Sequence, residues 1–149
     1  MRILFLGDVV GISGCSKLTS SLLIEIKSKK IDFVIVNGEN AAAQGVGLTE
    51  EICKDFYNCG VNVITTGNHV WDQKEIMKYI EKEERLLRPK NLFEPAPGRG
   101  FQIFKTDKNI RVGVLNLMGN VFMKKCDDVF ETSKKFLSEY KLKDDYDLL

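Results

Sequence analysis

The first half of the sequence repeats one pattern of hydrophobic and polar positions three times. A short apolar run rich in β-branched residues leads into a polar turn that contains glycine, and an amphipathic stretch follows. The apolar runs cover residues 2–6, 32–36 and 61–65. Runs of this length and composition are typical of strands that are buried on both faces of a parallel sheet. We therefore predict three parallel strands joined by crossover helices.

Amphipathic spacing predicts the helices between these strands. The first helix is indicated by four apolar residues that share one helical face, Leu18, Leu22, Leu23 and Ile26. Thr49 stands where the N-cap of a second helix belongs, and Asp72 opens a capping-box sequence before a third helix. Right-handed strand–helix–strand units of this kind predict an α/β fold, a mostly parallel sheet with helices on both faces.

The pattern changes after about residue 86. Prolines and glycines between residues 89 and 100 indicate an irregular loop. Residues 101–106 and 110–117 then predict a β-hairpin, and a last helix is expected from 128 to 140. The chain closes on Asp-Tyr-Asp-Leu-Leu, which is similar to the opening of another buried strand. We therefore expect residues 1–149 to be the N-terminal portion of a single domain, truncated at its C-terminus.

Composition and charge exclude several classes of protein. The 149 residues are 44% hydrophobic and 29% charged, and the formal charge of +1 generates no strong field toward nucleic acid or an anionic membrane. Two lysine clusters, at residues 27–30 and at Lys124 and Lys125, are interpreted as solvated faces. The sequence has no run of roughly 18 apolar residues, so we expect no membrane-spanning segment.

The cysteines favour a reduced, cytoplasmic protein. Cys15, Cys53, Cys59 and Cys126 form no C-x-x-C pair, and the sequence contains one histidine. A zinc site built on thiolates is therefore not expected. Unpaired thiols are typical of the cytoplasm, where disulfides are rare.

Polar residues follow each of the three predicted strands at its carboxyl end. They are Asp8, Glu39, Asn40, Asn68 and His69. Because ligands of open parallel sheets bind at the carboxyl ends of the strands, we expect these residues to converge on one edge. Two carboxylates, two amide oxygens and an imidazole suit magnesium, manganese or iron better than a thiolate zinc site.

Each of these residues also has a purely structural interpretation. Asp8 is compatible with a helix cap, the two asparagines with ordinary turns, and His69 with a surface position. Glu39 is harder to explain in this way, because a carboxylate directly after a buried strand must be paired, exposed or bound to metal. The glycine-containing loops at residues 11–14 and 45–47 fit either phosphate binding or a flexible connection. Taken together, the five candidate residues favour a metal-binding site, because three successive strand ends each supply at least one of them.

Three blocks carry a resemblance to a known family. They are Gly7-Asp8, Asn37-Gly38-Glu39-Asn40, and Thr-Gly-Asn-His-Val-Trp-Asp at residues 66–72. They resemble the calcineurin-like metallophosphoesterase superfamily, and more narrowly its YmdB-type branch of bacterial phosphodiesterases. The likeness extends along the whole chain. It implies a layered metallophosphoesterase fold.

The resemblance also implies a role for each candidate residue. Asp8 would bind the first of two divalent metal ions, and Glu39 would bridge both. Asn40 and Asn68 would bind the second ion, and His69 would be the catalytic proton donor. Members of the branch use iron or manganese and hydrolyse phosphodiesters, notably 2′,3′-cyclic nucleotides, with RNA ends as an alternative substrate.

The chain departs from the family pattern in ways that leave three hypotheses open. Val10 replaces a histidine of the wider superfamily, as in the YmdB-type branch, and three further histidine ligands of that branch would lie beyond residue 149. The first hypothesis is a phosphodiesterase represented by its N-terminal portion. The second is a catalytically impaired chain that binds a nucleotide or partner without turnover. The third is a split enzyme, completed by a homo-oligomer or by a complementing C-terminal segment.

Overall fold

Strands and helices alternate through the first 87 residues, as the apolar runs predict. The structure is a computed structural model that describes residues 1–93, 95–123 and 125–149. In chain order its elements are β1 (Ile3–Leu6), α1 (Gly11–Lys29), β2 (Phe33–Asn37), α2 (Glu50–Asn58), β3 (Val63–Thr65), α3 (Ile76–Ile80), β4 (Leu86–Leu87), β5 (Phe101–Lys105), β6 (Arg111–Leu115) and α4 (Val129–Glu139).

The first four strands form one parallel sheet in the order β1-β2-β3-β4. The three strands expected from the sequence are confirmed with ends shifted by two residues at most. Strand β4 was not predicted, because a run of two leucines is too short to show the hydrophobic pattern of a strand. Its pairing with β3 depends on the tertiary arrangement alone.

The helices α1, α2 and α3 pack against the same face of this sheet. Leu22, Phe56 and Ile80 from these helices share one buried cluster with the strand residues Val36 and Ile64. The physical reason is topological: consecutive neighbouring strands joined by right-handed crossovers always place their helices on the same side.

The second face of the sheet is covered by the β5–β6 hairpin. Phe33 and Val63 of the sheet pack against Val112 of the hairpin, and the ring of Phe104 lies 5.9 Å from that of Phe33 between centroids. Phe101, which points to the opposite side of β5, contacts α4. The α/β class and the predicted hairpin are confirmed. The expected helices on both faces need one correction: a two-stranded layer separates the parallel sheet from α4.

The Phe101 contact shows how α4 closes the outer layer. The rings of Phe101 and Phe136 lie 4.6 Å apart between centroids, and Phe136 stacks on Tyr140 at 4.8 Å. Asp128 caps the helix by accepting hydrogen bonds from the two backbone N–H groups of Phe130 and Glu131, both at 2.9 Å. The layers therefore run from helices to parallel sheet, hairpin and helix.

Two of the predicted N-caps have different outcomes. Thr49 caps α2, since its hydroxyl accepts a hydrogen bond from the backbone N–H of Ile52 at 3.3 Å. The capping box at Asp72 is wrong. Helix α3 begins at Ile76 after Glu75, whose side chain makes no capping hydrogen bond. Asp72 is engaged elsewhere, at the candidate site.

The closing segment pairs with β6 in parallel, as expected for a strand opening. The Gly113 N–H donates to the Leu148 carbonyl at 2.8 Å, and the Leu148 N–H donates to the Arg111 carbonyl at 3.2 Å. The lysines at residues 27–30 are exposed, whereas Lys124 of the second basic cluster lies outside the described residues. Among the described residues, none of the helices is long and apolar enough to cross a membrane.

Candidate metal centre

Backbone hydrogen bonds join the three polar turns at the carboxyl edge of the sheet. The Val9 N–H donates to the Asn37 carbonyl at 3.0 Å, and the Gly11 N–H donates to the Asn40 carbonyl at 2.9 Å. The next turn is joined by the Gly38 N–H, which donates to the Thr65 carbonyl at 3.0 Å. The sheet register therefore places the turns side by side, as the sequence predicts.

Asp8 and Asn40 are in direct contact. The side-chain amide of Asn40 donates to Asp8 Oδ2 at 2.6 Å, although 32 residues separate them. The other amide atom, Asn40 Oδ1, is buried, and in the described part of the chain it has no hydrogen-bond partner. An acceptor oxygen is therefore present beside a carboxylate, on the turn that follows β2.

Glu39 is held by its own turn. Its backbone N–H donates to Asn37 Oδ1 at 3.0 Å, an Asx-type turn, and Asn37 Nδ2 lies 3.5 Å from Glu39 Oε1. The carboxylate packs directly against Gly67 in the third turn, where a Cβ atom would overlap it. Glu39 Oε2 is buried and, within residues 1–93, 95–123 and 125–149, lacks a hydrogen-bond partner. Glycine at position 67 therefore makes room for this carboxylate.

These two unpartnered oxygens fit a divalent cation. Leaving a buried acceptor unsatisfied costs about 1–3 kcal/mol, and more when it is charged. Carboxylate and amide oxygens are the ligands that hard cations prefer. No three histidine, cysteine, aspartate or glutamate side chains in the described ranges come close enough to hold a metal. The candidate set includes only two carboxylates, Asp8 and Glu39, and takes its other oxygens from asparagines.

The third turn carries Asn68 and His69. Asn68 follows Gly67 and is half-buried; its side chain makes no hydrogen bond to any described residue. His69 Nδ1 lies 2.6 Å from Asp72 Oδ2, and the two side chains are 34% and 36% exposed. A carboxylate at Nδ1 favours the tautomer with the proton on that nitrogen, which leaves Nε2 available for chemistry.

The structure therefore brings together some of the predicted residues and not others. Asp8 touches Asn40, and Glu39 packs against the residue that precedes Asn68. In the described chain no hydrogen bond links His69 to the other four.

Three supporting residues were missed by sequence reasoning. They are Asn37, Asp72 and Asn116. The first two lie inside the sequence blocks and were available as signals. Asn116 lies in a stretch that shares the family resemblance, but nothing local gave it a role at the site, because its amide donates to the Thr66 and Leu87 carbonyls, at 2.8 and 3.0 Å, from 50 and 29 residues away. It ties the third turn to β6.

One thiol also lies beside the second turn. The Cys15 Sγ donates to the Ala41 carbonyl at 3.2 Å. Burial, followed by the charge of Asp55, raises the pKa of this thiol above its ordinary value. Cys15 therefore stays a protonated donor.

Comparison with known proteins extends over nearly the whole chain. A family model described as YmdB-like protein matches residues 4–149. A 2′,3′-cyclic-nucleotide 2′-phosphodiesterase of Bacillus subtilis strain 168 is 41% identical over 140 residues, which cover 93% of this chain and 52% of that protein.

Two solved structures are similar to the fold. A hypothetical protein of Thermus thermophilus superposes with a TM-score of 0.87 at 35% identity, covering 95% of this chain and 54% of that one. A novel phosphatase of Mycoplasma pneumoniae gives 0.86 at 31% identity, covering 95% and 52%. The chain thus spans about half the length of the relatives it matches.

Proposed function

The chain belongs to the family of YmdB-like proteins, and from that premise we propose that it forms one side of a di-metal phosphodiesterase centre. The substrates are phosphodiesters, with 2′,3′-cyclic nucleotides as the favoured class and RNA ends as the alternative. The name of the Bacillus relative supports the cyclic-nucleotide class. The unpaired cysteines support a reducing compartment such as the cytoplasm.

The observation that carries the proposal is the pair of buried oxygens, Glu39 Oε2 and Asn40 Oδ1. They lie on consecutive residues, beside Asp8 and against the third turn. We assign Asp8 to the first ion, Glu39 to both, and Asn40 and Asn68 to the second. When bound, iron or manganese ions supply Lewis-acid stabilisation of phosphate oxygens and lower the pKa of a water molecule.

His69 supplies the proton in this proposal. Asp72 accepts the Nδ1 proton, so the imidazolium form of His69 would carry its second proton on Nε2 and give that proton to the departing alkoxide oxygen. Positioned general acids of this kind contribute roughly 10²–10⁴-fold to a rate. Asp72 acts through His69 and touches no substrate, so it is a positioning residue.

Metal stoichiometry and turnover together test this function. The chain is reconstituted anaerobically with Fe(II) or Mn(II), its metal content is measured by elemental analysis, and hydrolysis of 2′,3′-cyclic AMP is followed. We expect metal binding by the chain that is lost in Glu39→Gln, and hydrolysis only where the groups of the other side of the centre are also supplied. Glu81→Gln, an exposed glutamate at the end of α3, is the matched control. Wild-type protein that binds no metal would overturn the assignment.

A second candidate is nucleotide binding without turnover. Two observations favour it: the chain holds a single histidine, and it spans about half the length of its relatives. In this case 2′,3′-cyclic AMP binds in equilibrium dialysis and is recovered unchanged. Hydrolysis that Asn68→Ala abolishes would exclude it. A second copy of the chain is another proposed partner, and gel filtration of the same samples would detect such a homo-oligomer.

A further inference from the structure

A glycine-containing loop connects the second polar turn of the candidate site to α2. It comprises residues 41–48 and starts directly after the proposed ligands of that turn. The loop closes on itself, because the Ala42 N–H donates to the Gly47 carbonyl at 2.9 Å and the Gly45 N–H donates to the Ala42 carbonyl at 2.7 Å. Ala42 and Leu48 are buried, whereas the tip of the loop is exposed. The core therefore fixes both ends of the loop and leaves its tip to polar contacts.

The segment that follows the third turn supplies such contacts. Gln73 Nε2 donates to the Val46 carbonyl at 3.0 Å, although 27 residues separate them. Two positions further on, Glu75 Oε1 accepts a hydrogen bond from the Glu50 N–H at 3.3 Å, where α2 begins. The segment after the third turn therefore makes two hydrogen bonds to the segment after the second turn.

The space beside Gly47 accommodates the Gln73 side chain. Gly47 has a φ angle of +80°, and a Cβ atom at this position would lie 2.8 Å from Gln73 Cγ and 3.2 Å from the Gln73 backbone nitrogen. The same atom would lie 3.3 Å from the Cβ of Asp72. Glycine therefore has two roles at position 47, since it adopts the left-handed backbone and lets Gln73 approach closely.

Gln73 directly follows the carboxylate that contacts His69. Asp72 Oδ2 lies 2.6 Å from His69 Nδ1, and the Asp72 N–H donates to the His69 carbonyl at 3.1 Å. The side chain of Asp72 is 36% exposed, so packing alone does not fix its carboxylate. The Gln73 side chain, hydrogen-bonded to the loop, anchors the backbone next to this carboxylate.

We propose that Gln73 is a positioning residue, which binds the Val46 carbonyl and thereby keeps the Asp72 carboxylate on His69 Nδ1. The role of His69 as proton donor rests on the proposed function, whereas the contact of Asp72 with the imidazole does not. Without the Gln73 amide, residues 69–73 are free to shift relative to the loop, and Asp72 exchanges its contact with His69 for water. The proton of the neutral imidazole is then no longer confined to Nδ1.

Nitrogen-15 NMR of His69 tests this role, at a fixed pH where the imidazole is neutral and without metal or substrate. Gln73→Met keeps the length of the side chain and removes its donor. In this variant we expect the ratio of the Nδ1–H to the Nε2–H tautomer to fall by about threefold or more, near the lower end of what one hydrogen bond contributes. Gln44→Met, the same change at an exposed glutamine of the loop, is the matched control and should leave the ratio unchanged. Circular dichroism checks that each variant folds.

A second pair of variants perturbs Gln73 from the loop. Gly47→Ala places a methyl group against Gln73 Cγ. Gly45→Ala has the same left-handed strain, at a φ angle of +79°, but its nearest contact would be at 3.8 Å. We expect the tautomer ratio to fall in Gly47→Ala and to stay unchanged in Gly45→Ala. This pair decides the proposal even where Gln73→Met does not fold.

A purely structural role of Gln73 predicts a different result. If its hydrogen bond only stabilises the loop, Gln73→Met lowers Tm and leaves the imidazole signals unchanged, which would overturn the proposal. Equal changes in Gln73→Met and Gln44→Met would overturn it as well. Because the measurement uses neither metal nor substrate, a chain that shows the tautomer change but binds no metal counts against the proposed function alone. Unchanged tautomers in a chain that binds metal count against the positioning role alone.

Discussion

Replacing Gly67 with alanine tests the proposed metal centre without removing any of its proposed ligands. The added Cβ would lie 2.7 Å from both Oε1 and Cδ of Glu39, with Oε2 closer still. Ordinary van der Waals contact begins at 3.4 Å, so the carboxylate must move by roughly 0.7 Å or more. The φ angle of Gly67 lies outside the left-handed region, so alanine adopts this backbone without strain.

Gly67→Ala should weaken metal binding, because metal sites tolerate only small changes in metal–ligand distance. Metal–ligand distances vary by only about 0.2 Å, so the displaced carboxylate of Glu39 no longer binds as before. Changes that disturb a ligand's support typically cost about 10–100-fold in metal affinity, or about 1.4–2.7 kcal/mol. The fold should persist, because the group that moves is the far end of a flexible side chain.

A Mn(II) titration followed by electron paramagnetic resonance measures this loss, with thermal unfolding recorded on the same samples. Gly119→Ala is the control, since a Cβ at that glycine meets nothing within 4 Å. Gly67→Ala protein that stays folded and binds Mn(II) as tightly as the wild type would refute the placement of Glu39 in the centre. Equal weakening in both variants would show that the effect is not local.

Three further predictions test the support of the site and the fold. Asp72→Ala removes the group that accepts the Nδ1 proton of His69, so the proton of the neutral imidazole should move from Nδ1 to Nε2. Nitrogen-15 NMR distinguishes the two tautomers, since the sequence contains a single histidine, and an unchanged spectrum contradicts the prediction. Asn91→Ala leaves the buried N–H and carbonyl of Met118 unpaired and should lower the free energy of unfolding in urea by about 2 kcal/mol, whereas a loss below about 1 kcal/mol contradicts it. The hydrogen bond from Lys108, and then the Arg2 N–H, lowers the pKa of Asp32, so this carboxylate stabilises the fold above its ordinary pKa and the effect is lost as pH falls through the lowered value. Asp32→Asn should therefore reduce Tm at neutral pH but not in acid, and equal reductions contradict it.

Much of the fold follows from local pattern. The three parallel strands and the hairpin are each marked in the sequence by a run of apolar or alternating residues. Thr49 and Asp128 are the N-caps of α2 and α4, at the points where the sequence predicts these helices to begin. Strand β4 was not foreseen, because its two leucines become a strand only through pairing with β3. The position of the hairpin, between the sheet and α4, was also not foreseen, since the order in which layers stack is decided by crossover handedness and strand order.

The sequence by itself determined which kinds of group reach the candidate site. Three strand ends deliver carboxylate and amide oxygens and one imidazole, and carboxyl ends of parallel strands share an edge. Only the tertiary structure decided how these groups pair. Asp8 meets Asn40 across 32 residues, the Glu39 carboxylate takes the space left open at Gly67, and Asp72 binds an imidazole instead of capping α3. Hydrophobic periodicity is a local property and can be read from the chain, whereas these contacts depend on the register that places one turn beside another.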